Sequence, residues 1–323
     1  MSWHPSANQQ ILAARAALLA GIRKFFSRVG VLEVETPVCS ARATTDPALK
    51  SLETVFTGPG APSGNRLYLH TSPEFPMKRL LAAGSGPIYQ ICKVFRDGES
   101  GRLHNPEFTL LEWYRPGYDL DAMMRETAEL VNALLPQPRS LDRLSYGEAF
   151  RRHLGIDPHV GTGGELQEAA IRAGIAGADA LELPDRDAWL DLLLTHAVEP
   201  HLGQGNLTLL YDYPASQAAL ARVRSGEPPV AERFELYADG VELANGFYEL
   251  ADAQEQRRRF EADLERRQRE GKEPVPMDEN LLAALESGLP DCSGVALGVD
   301  RLLMLITGAR HIDAVLAFPF RHA

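Results

Sequence analysis

The stretch Val94-Phe95-Arg96-Asp97-Gly98-Glu99-Ser100-Gly101-Arg102-Leu103-His104-Asn105-Pro106-Glu107-Phe108-Thr109-Leu110-Leu111-Glu112-Trp113-Tyr114 constrains the fold more than any other part of the chain. Apolar-alternating runs at 88–95 and 108–114 flank a polar loop holding Gly98, Gly101 and Pro106. The pattern predicts two antiparallel strands joined by a long cationic loop. Side chains alternate along a strand, so Phe108, Leu110, Glu112 and Tyr114 share one face and Thr109, Leu111 and Trp113 the other. A glutamate inside a core strand needs a partner or a ligand, because an isolated buried charge is costly. The segment is therefore expected to be a site.

A chain of 323 residues with 45% apolar residues supports a sizeable core. It has no apolar run long enough to span a bilayer, and its start, Met1-Ser2-Trp3-His4-Pro5, lacks the basic and apolar segments of a signal peptide. A soluble, cytoplasmic protein is expected. The net charge of −11 argues against a protein that grips a long nucleic-acid duplex. Cys39, Cys92 and Cys292 have no metal-ligand spacing and read as reduced, mostly packed thiols. Walker-type and dinucleotide glycine loops, zinc spacings and nucleophile elbows are all missing from the sequence, so nucleotide chemistry requires another scaffold.

In chain order, residues 8–28 carry Leu12, Ala16, Leu19, Ile22, Phe26 and Val29 on one helical face, with Ser6 or Asn8 as cap and Gly30 as stop. A strand is expected at 31–37, a loop at 58–65, a strand at 66–71 and a helix at 73–83. Glu74 falls in that helix's first turn, where dipole complementarity or capping explains it as readily as binding does. A helix at 118–135 leads into a helical insertion, about 137–204, with helices at 146–154, 165–173 and 186–198 and a strand following at 207–214. Asp239-Gly240 between alternating runs predicts a hairpin that brings Glu235 close to Glu242. Two adjacent carboxylates repel, so the pair reads either as a Mg²⁺ site or as solvent-facing edge charges. Residues 252–270 read as a helix started by a capping box from Asp252 to Glu255, and Arg257-Arg258-Arg259 as part of its wet face. Finally, Gly294 and Gly298 permit close backbone approach before an apolar helix with Arg301 near its first turn. An arginine beside an apolar run needs a buried anion or a ligand phosphate.

Together these stretches resemble the three motifs of class II aminoacyl-tRNA synthetases. Glu35-Thr36-Pro37 is similar to the end of the first, Phe95-Arg96 with its loop and Phe108 to the second, and Gly298-Val299-Asp300-Arg301 to the third. Within that class the lysyl branch is matched by Ser72-Pro73-Glu74, His104-Asn105-Pro106-Glu107-Phe108-Thr109, Leu111-Glu112-Trp113-Tyr114 and Asn245-Gly246-Phe247-Tyr248-Glu249. Lysyl-tRNA synthetases also carry an N-terminal anticodon-binding barrel, and here the first motif begins almost at Met1. The chain thereby resembles the paralogue family that ligates lysine-type amino acids to elongation factor P.

The resemblance implies an α+β fold: an antiparallel sheet flanked by helices, forming a single catalytic domain over 1–323 without an anticodon-binding domain. It implies ATP-dependent activation of a lysine-type amino acid, preferentially (R)-β-lysine, as an adenylate, transfer to a lysine side chain of elongation factor P, Mg²⁺ as cofactor, and a homodimer. Neither membrane association nor stable tRNA binding is expected. In-line attack on the α-phosphorus brings two anions together, which the enzyme must clamp. Arg96 is expected to bridge substrate carboxylate and α-phosphate, and Arg301 to hold the γ-phosphate. Arg102 and His104 would close over the phosphates, and Phe108 would stack adenine against Arg301. Glu235 and Glu242 would hold Mg²⁺. Glu74, Glu112, Tyr114, Ala244, Asn245 and Glu249 would line the amino-acid pocket. In the family a glutamate follows the motif-two arginine by two residues, where this chain has Gly98; Glu99 is the available substitute. Ala244 replaces a glycine of the lysyl synthetases, and one methyl at a pocket wall shifts discrimination by roughly 1–3 kcal/mol. The competing readings are a truncated synthetase that charges tRNA, disfavoured by acidity and the missing barrel, and a non-catalytic sensor, disfavoured because Arg96, Arg301, Glu235 and Glu242 are all present. A stand-alone amidating synthetase conflicts with the lysyl-type pocket.

Overall fold

The computed structural model describes residues 3–60 and 65–323, so part of the loop expected at 58–65 lies outside the described residues. The chain divides into two compact units, Met1–Gly117 with Leu250–Ala323, and Tyr118–Glu249.

The first unit opens with α1 (Gln9–Arg28), capped by the Asn8 side chain accepting from the Ile11 amide. Then come β1 (Leu32–Glu33), β2 (Cys39–Ser40), β3 (Glu53–Val55), β4 (Arg66–Leu69), α2 (Glu74–Ala82), β5 (Ile88–Phe95) and β6 (Glu107–Pro116). The second unit holds α3 (Leu120–Leu134), β7 (Leu141–Ser145), α4 (Tyr146–Leu154), α5 (Gly163–Arg172), α6 (Arg186–Leu193), β8 (Leu207–Pro214), β9 (Val223–Arg224), β10 (Val230–Ala238) and β11 (Val241–Tyr248). The chain returns to the first unit with α7 (Ala253–Arg269), α8 (Glu279–Gly288), β12 (Cys292–Gly298) and α9 (Val299–Thr307).

In the first unit β5 and β6 pair antiparallel, β12 pairs antiparallel with β6, and β1 adds parallel to β5. β2, β4 and β3 make a separate small antiparallel sheet. The expected two-faced β6 is present. Trp113 and its cross-strand partner Tyr89 meet α1 through Phe26, which stacks on Tyr89 at 4.4 Å and tilts against Trp113 at 5.6 Å. The opposite face carries Glu112 and Tyr114, joined by a hydrogen bond.

The inward stripe of α1 differs from expectation. Leu18, Ile22, Phe25 and Phe26 are buried while Leu12 and Ala16 are exposed. Arg15, on the same side of the helix as Leu18 and Ile22, pairs with Asp300 of α9. The strand expected at 31–37 shrinks to Leu32 and Glu33, paired with Ile88 and Tyr89, and its last backbone hydrogen bond to β5 is the Val34 amide donating to the Tyr89 carbonyl at 2.8 Å. Of the three thiols, expected to be mostly packed, Cys39 is exposed, Cys92 half-buried and Cys292 buried. Burial and the nearby Glu112 charge push the Cys92 thiol up to about 12, so it stays protonated.

In the second unit β7 pairs parallel with β8, β8 antiparallel with β10, and β10 antiparallel with both β11 and β9. The helices expected as an insertion share a core with the strands: Phe150, Leu166, Trp189 and Leu193 cluster with Leu210, Tyr213 and Tyr237. Tyr146 stacks on Phe150 at 4.5 Å and tilts against Tyr213 at 4.7 Å. The 186–198 helix is continued past α6 by a π-helical turn, Leu194–Val198. Among the described residues no helix is long and apolar enough to cross a membrane.

Candidate active site

The β5–β6 loop is tied down from several sides. The Arg96 amide donates to the Pro106 carbonyl at 2.9 Å, the Asp97 amide to the Lys50 carbonyl at 2.7 Å, and the Ile312 amide to the Arg102 carbonyl at 2.9 Å. Asn105 accepts from the Phe320 amide at 3.0 Å and donates to the Glu107 carbonyl at 2.6 Å. Lys50 adds an ion pair to Asp97 at 2.5 Å. Such anchoring fixes side-chain geometry ahead of any ligand, which is how charged groups gain value in a site.

Within this loop Arg96 donates through Nε to the Thr71 carbonyl at 3.3 Å, and its guanidinium lies 5.1 Å over the Phe108 ring. Arg301, in the first turn of α9, donates to Nε2 of His104 at 2.7 Å. Burial, followed by the charge of Arg301, lowers the His104 pKa. The neutral imidazole can then accept from the guanidinium, which a protonated ring could not. Arg96 covers the Phe108 ring, and Arg301 turns to His104. Gly98 has φ +85°, a conformation L side chains rarely adopt, so a glutamate there would be strained. Glu99 is the carboxylate near the arginine, 3.8 Å from Arg96. Arg102 has an exposed side chain and contributes its backbone carbonyl to the anchoring.

On the same strand Glu112 is buried, 2% exposed, and both its oxygens are engaged. Ser72 Oγ donates to Oε2 at 2.7 Å and Tyr114 OH to Oε1 at 2.6 Å. Ser72 also accepts from the Glu74 amide at 3.0 Å, so one hydroxyl sets both the start of α2 and the rotamer of Glu112. Glu74 itself meets Lys78 Nζ at 2.6 Å, with Lys78 fully buried. Sequence reading missed Lys78; its position one turn after Glu74 on an otherwise apolar helix face was the available signal. Ala296 of β12 lies across from Glu112.

In the second unit the Asp239-Gly240 turn forms as expected, both residues at positive φ (51° and 72°), the signature of a two-residue hairpin turn with strand-matching twist. Glu242 lies across from Tyr237 and Glu235 across from Asn245, with a bulge at Leu243 between the two registers. The two carboxylates are therefore diagonal neighbours, not a directly opposed pair. Without the bulge Glu242 and Asn245 would point to opposite faces; the extra residue puts Glu242, Asn245, Phe247 and, by continued alternation, Glu249 on the face of Glu235. Ala244 does not share that face: it is buried across from Leu236. Glu235 accepts from Arg233 at 2.5 Å and from the Tyr237 hydroxyl.

Two carboxylates on one hairpin face fit Mg²⁺, which takes one or two carboxylates and fills its octahedron with phosphate oxygens and water. No group of three or more His, Cys, Asp or Glu able to hold a metal occurs among the described residues.

Asp300 was not singled out from sequence. It is 2% exposed, accepts from the Thr109 amide at 2.7 Å, and pairs with Arg15. One carboxylate thus joins α1, β6 and the start of α9, holding Phe108 and Arg301 in fixed relation within the first unit.

Residues 1–322 match the family profile described as tRNA synthetases class II (D, K and N). The elongation factor P–(R)-β-lysine ligase of Pectobacterium atrosepticum is 52% identical over 322 residues, covering all of this chain and 98% of that protein. The protein of the same name from Salmonella paratyphi B is 53% identical over 324 residues, again covering all of this chain and 98% of its own length. An antiparallel sheet carrying the motif-two hairpin, an arginine at the head of α9, and full-length similarity converge on one assignment: the chain belongs to the class II tRNA synthetases.

Proposed function

We propose that this chain is an ATP-dependent ligase that activates a lysine-type amino acid, with preference for (R)-β-lysine, and transfers it to a lysine side chain of elongation factor P. Full-length similarity to proteins of that name supports the reading. The observation that carries it is the anchored β5–β6 loop, which presents Arg96 beside Phe108 and lets His104 feel the charges of both Arg96 and Arg301.

In the first step the substrate carboxylate attacks the α-phosphorus of ATP, the bond to pyrophosphate breaks, and an aminoacyl adenylate forms. Arg96 holds the carboxylate and the α-phosphate together, and Arg301 with His104 and Arg102 holds the outer phosphates. Glu99 takes over the carboxylate role lost at Gly98. Glu74 and Glu112, with Tyr114, recognise ammonium groups, and Asn245 and Glu249 extend recognition of the amino acid. Glu235 and Glu242 would hold Mg²⁺, which neutralises charge growing on the departing pyrophosphate. In the second step the protein amine attacks the adenylate carbonyl, and AMP leaves. The amine's proton passes to the adenylate phosphate.

We further read the whole chain as one catalytic domain acting in the cytoplasm, and as a homodimer in which Leu12 and Leu32, 40% and 58% exposed, become covered. ATP–pyrophosphate exchange with α- and β-lysine, followed by label transfer to purified elongation factor P or to lysine tRNA, tests the proposal. Exchange with transfer to the protein is expected; transfer to tRNA alone would overturn it.

A further inference from the structure

Every nitrogen of the Arg233 guanidinium donates a hydrogen bond. Its Nε donates to Oδ1 of Asn245 at 3.3 Å, one terminal nitrogen donates to the Gln217 carbonyl at 3.0 Å, and the other to Glu235 at 2.5 Å. Its plane lies 4.4 Å over the Tyr213 ring. A guanidinium only donates, so this fork leaves one orientation for each neighbour. The Asn245 carbonyl must face Arg233, which turns its NH₂ to the other side. Glu235 is fixed through one oxygen by Arg233 and through the other by the Tyr237 hydroxyl.

We infer that Arg233 is a positioning residue that locks Glu235 and Asn245 into one arrangement, so that divalent-cation binding and amino-acid binding strengthen each other through it. The inference rests on the proposed roles of Glu235 in holding the cation and of Asn245 in contacting the amino acid. The chemistry favours linkage over simple stabilisation. Buried ion pairs contribute little net stability compared with apolar packing, yet here a single fork spans two groups assigned to different ligands. Either ligand that orders its own residue also orders the fork, and the other ligand then meets a prepared partner. Lysine in its place has one compact ammonium and cannot reach Asn245, Gln217 and Glu235 together.

The test is calorimetric titration of Mn²⁺, with a non-hydrolysable ATP analogue present, with and without saturating lysine. Groups that orient a metal ligand are worth about 10- to 100-fold in metal affinity, and coupling between sites is typically about 5-fold or more. For the native chain lysine is expected to tighten Mn²⁺ binding at least about 5-fold. Arg233→Lys is expected to weaken Mn²⁺ binding about 10-fold and bring the lysine effect close to one. Tyr237→Phe, which loosens Glu235 without touching Asn245, should weaken Mn²⁺ but keep the lysine effect. A folded Arg233→Lys protein with native coupling overturns the inference. Glu235→Gln and Asn245→Ala test the underlying roles separately: unchanged Mn²⁺ affinity in the first, or unchanged lysine affinity in the second, removes the basis of the inference without involving Arg233. If Arg233→Lys does not fold, the double-mutant cycle of Glu235→Gln with Asn245→Ala, read on lysine affinity, decides. Non-additive effects support the link, and additive effects overturn it.

Discussion

Arg96, in the loop just past β5 of the first unit, and Arg233, on β10 of the second, are used in opposite ways. Arg96 is held by a backbone carbonyl and an aromatic face, with its nearest carboxylate, Glu99, at 3.8 Å. Arg233 is bound to the carboxylate of Glu235 at 2.5 Å. Neutral holders position a cation without cancelling its charge, so Arg96 remains able to meet an anion. A carboxylate holder cancels the charge and leaves geometry as the main product. The partner, more than the residue type, separates a ligand-binding arginine from a positioning one.

The strongest way to break this comparison is to delete the first arginine. Arg96→Ala is expected to lower ATP–pyrophosphate exchange by about 10³-fold, the scale for losing a key donor to developing charge, with little change in melting temperature. Arg96→Lys should recover little of the loss, because a point charge cannot bridge two anions as a planar fork does. A large stability loss with near-native exchange in folded Arg96→Ala protein would reverse the assignment of roles.

Next in size is Asp300→Ala. It strands Arg15 and the Thr109 amide, and breaking a buried pair from one side costs about 3 kcal/mol. Urea unfolding should show a drop of that order. A change below about 1 kcal/mol would mean that the three elements do not depend on this carboxylate.

Most of the frame was legible in the sequence for local reasons. The β6 faces followed from alternation alone, and the hairpin turn at Asp239-Gly240 from the conformations those residues tolerate. What stayed hidden was non-local. Arg15 reads as a surface residue until Asp300 is placed beside it from almost the other end of the chain. Lys78 reads as solvated until Glu74 turns toward it. Strict alternation from the turn puts Glu242 on the face opposite Asn245, and only the bulge at Leu243 brings them together. The altered role of Gly98 was visible as a missing carboxylate, but the reason, a φ of +85°, required the fold.

The bulge also sharpens the second-unit half of the comparison. Ala244 packs across from Leu236, away from the face of Glu235 and Asn245. Ala244→Gly is therefore expected to cost about 1 kcal/mol of stability through backbone freedom. The ratio of β- to α-lysine exchange should change by no more than about twofold, since the full effect of a methyl at a pocket wall would be larger. A tenfold change in that ratio would return Ala244 to the pocket wall.

The smallest effect extends the comparison to a carboxylate. Asp263 of α7 is held by the Thr45 hydroxyl at 2.9 Å, a neutral holder like those of Arg96. Burial, with the Asp46 charge adding to it, raises its pKa from 3.8 to about 6. A raised pKa means that the folded state binds the proton more tightly than the unfolded chain does. This contribution to stability is complete below pH 3.8 and lost as pH rises through about 6. At pH 7 the protein thus carries a charged group that folding disfavours. Asp263→Asn keeps an acceptor for Thr45 and removes the charge. It should stabilise the protein at pH 7 by about 1 kcal/mol, less than the full shift implies because the group is partly exposed and screened. The gain should shrink as pH falls toward 4 and vanish below it. A pH-independent gain would mean that packing, not charge, is responsible, and that a neutral holder leaves a buried carboxylate no less stable than a charged one.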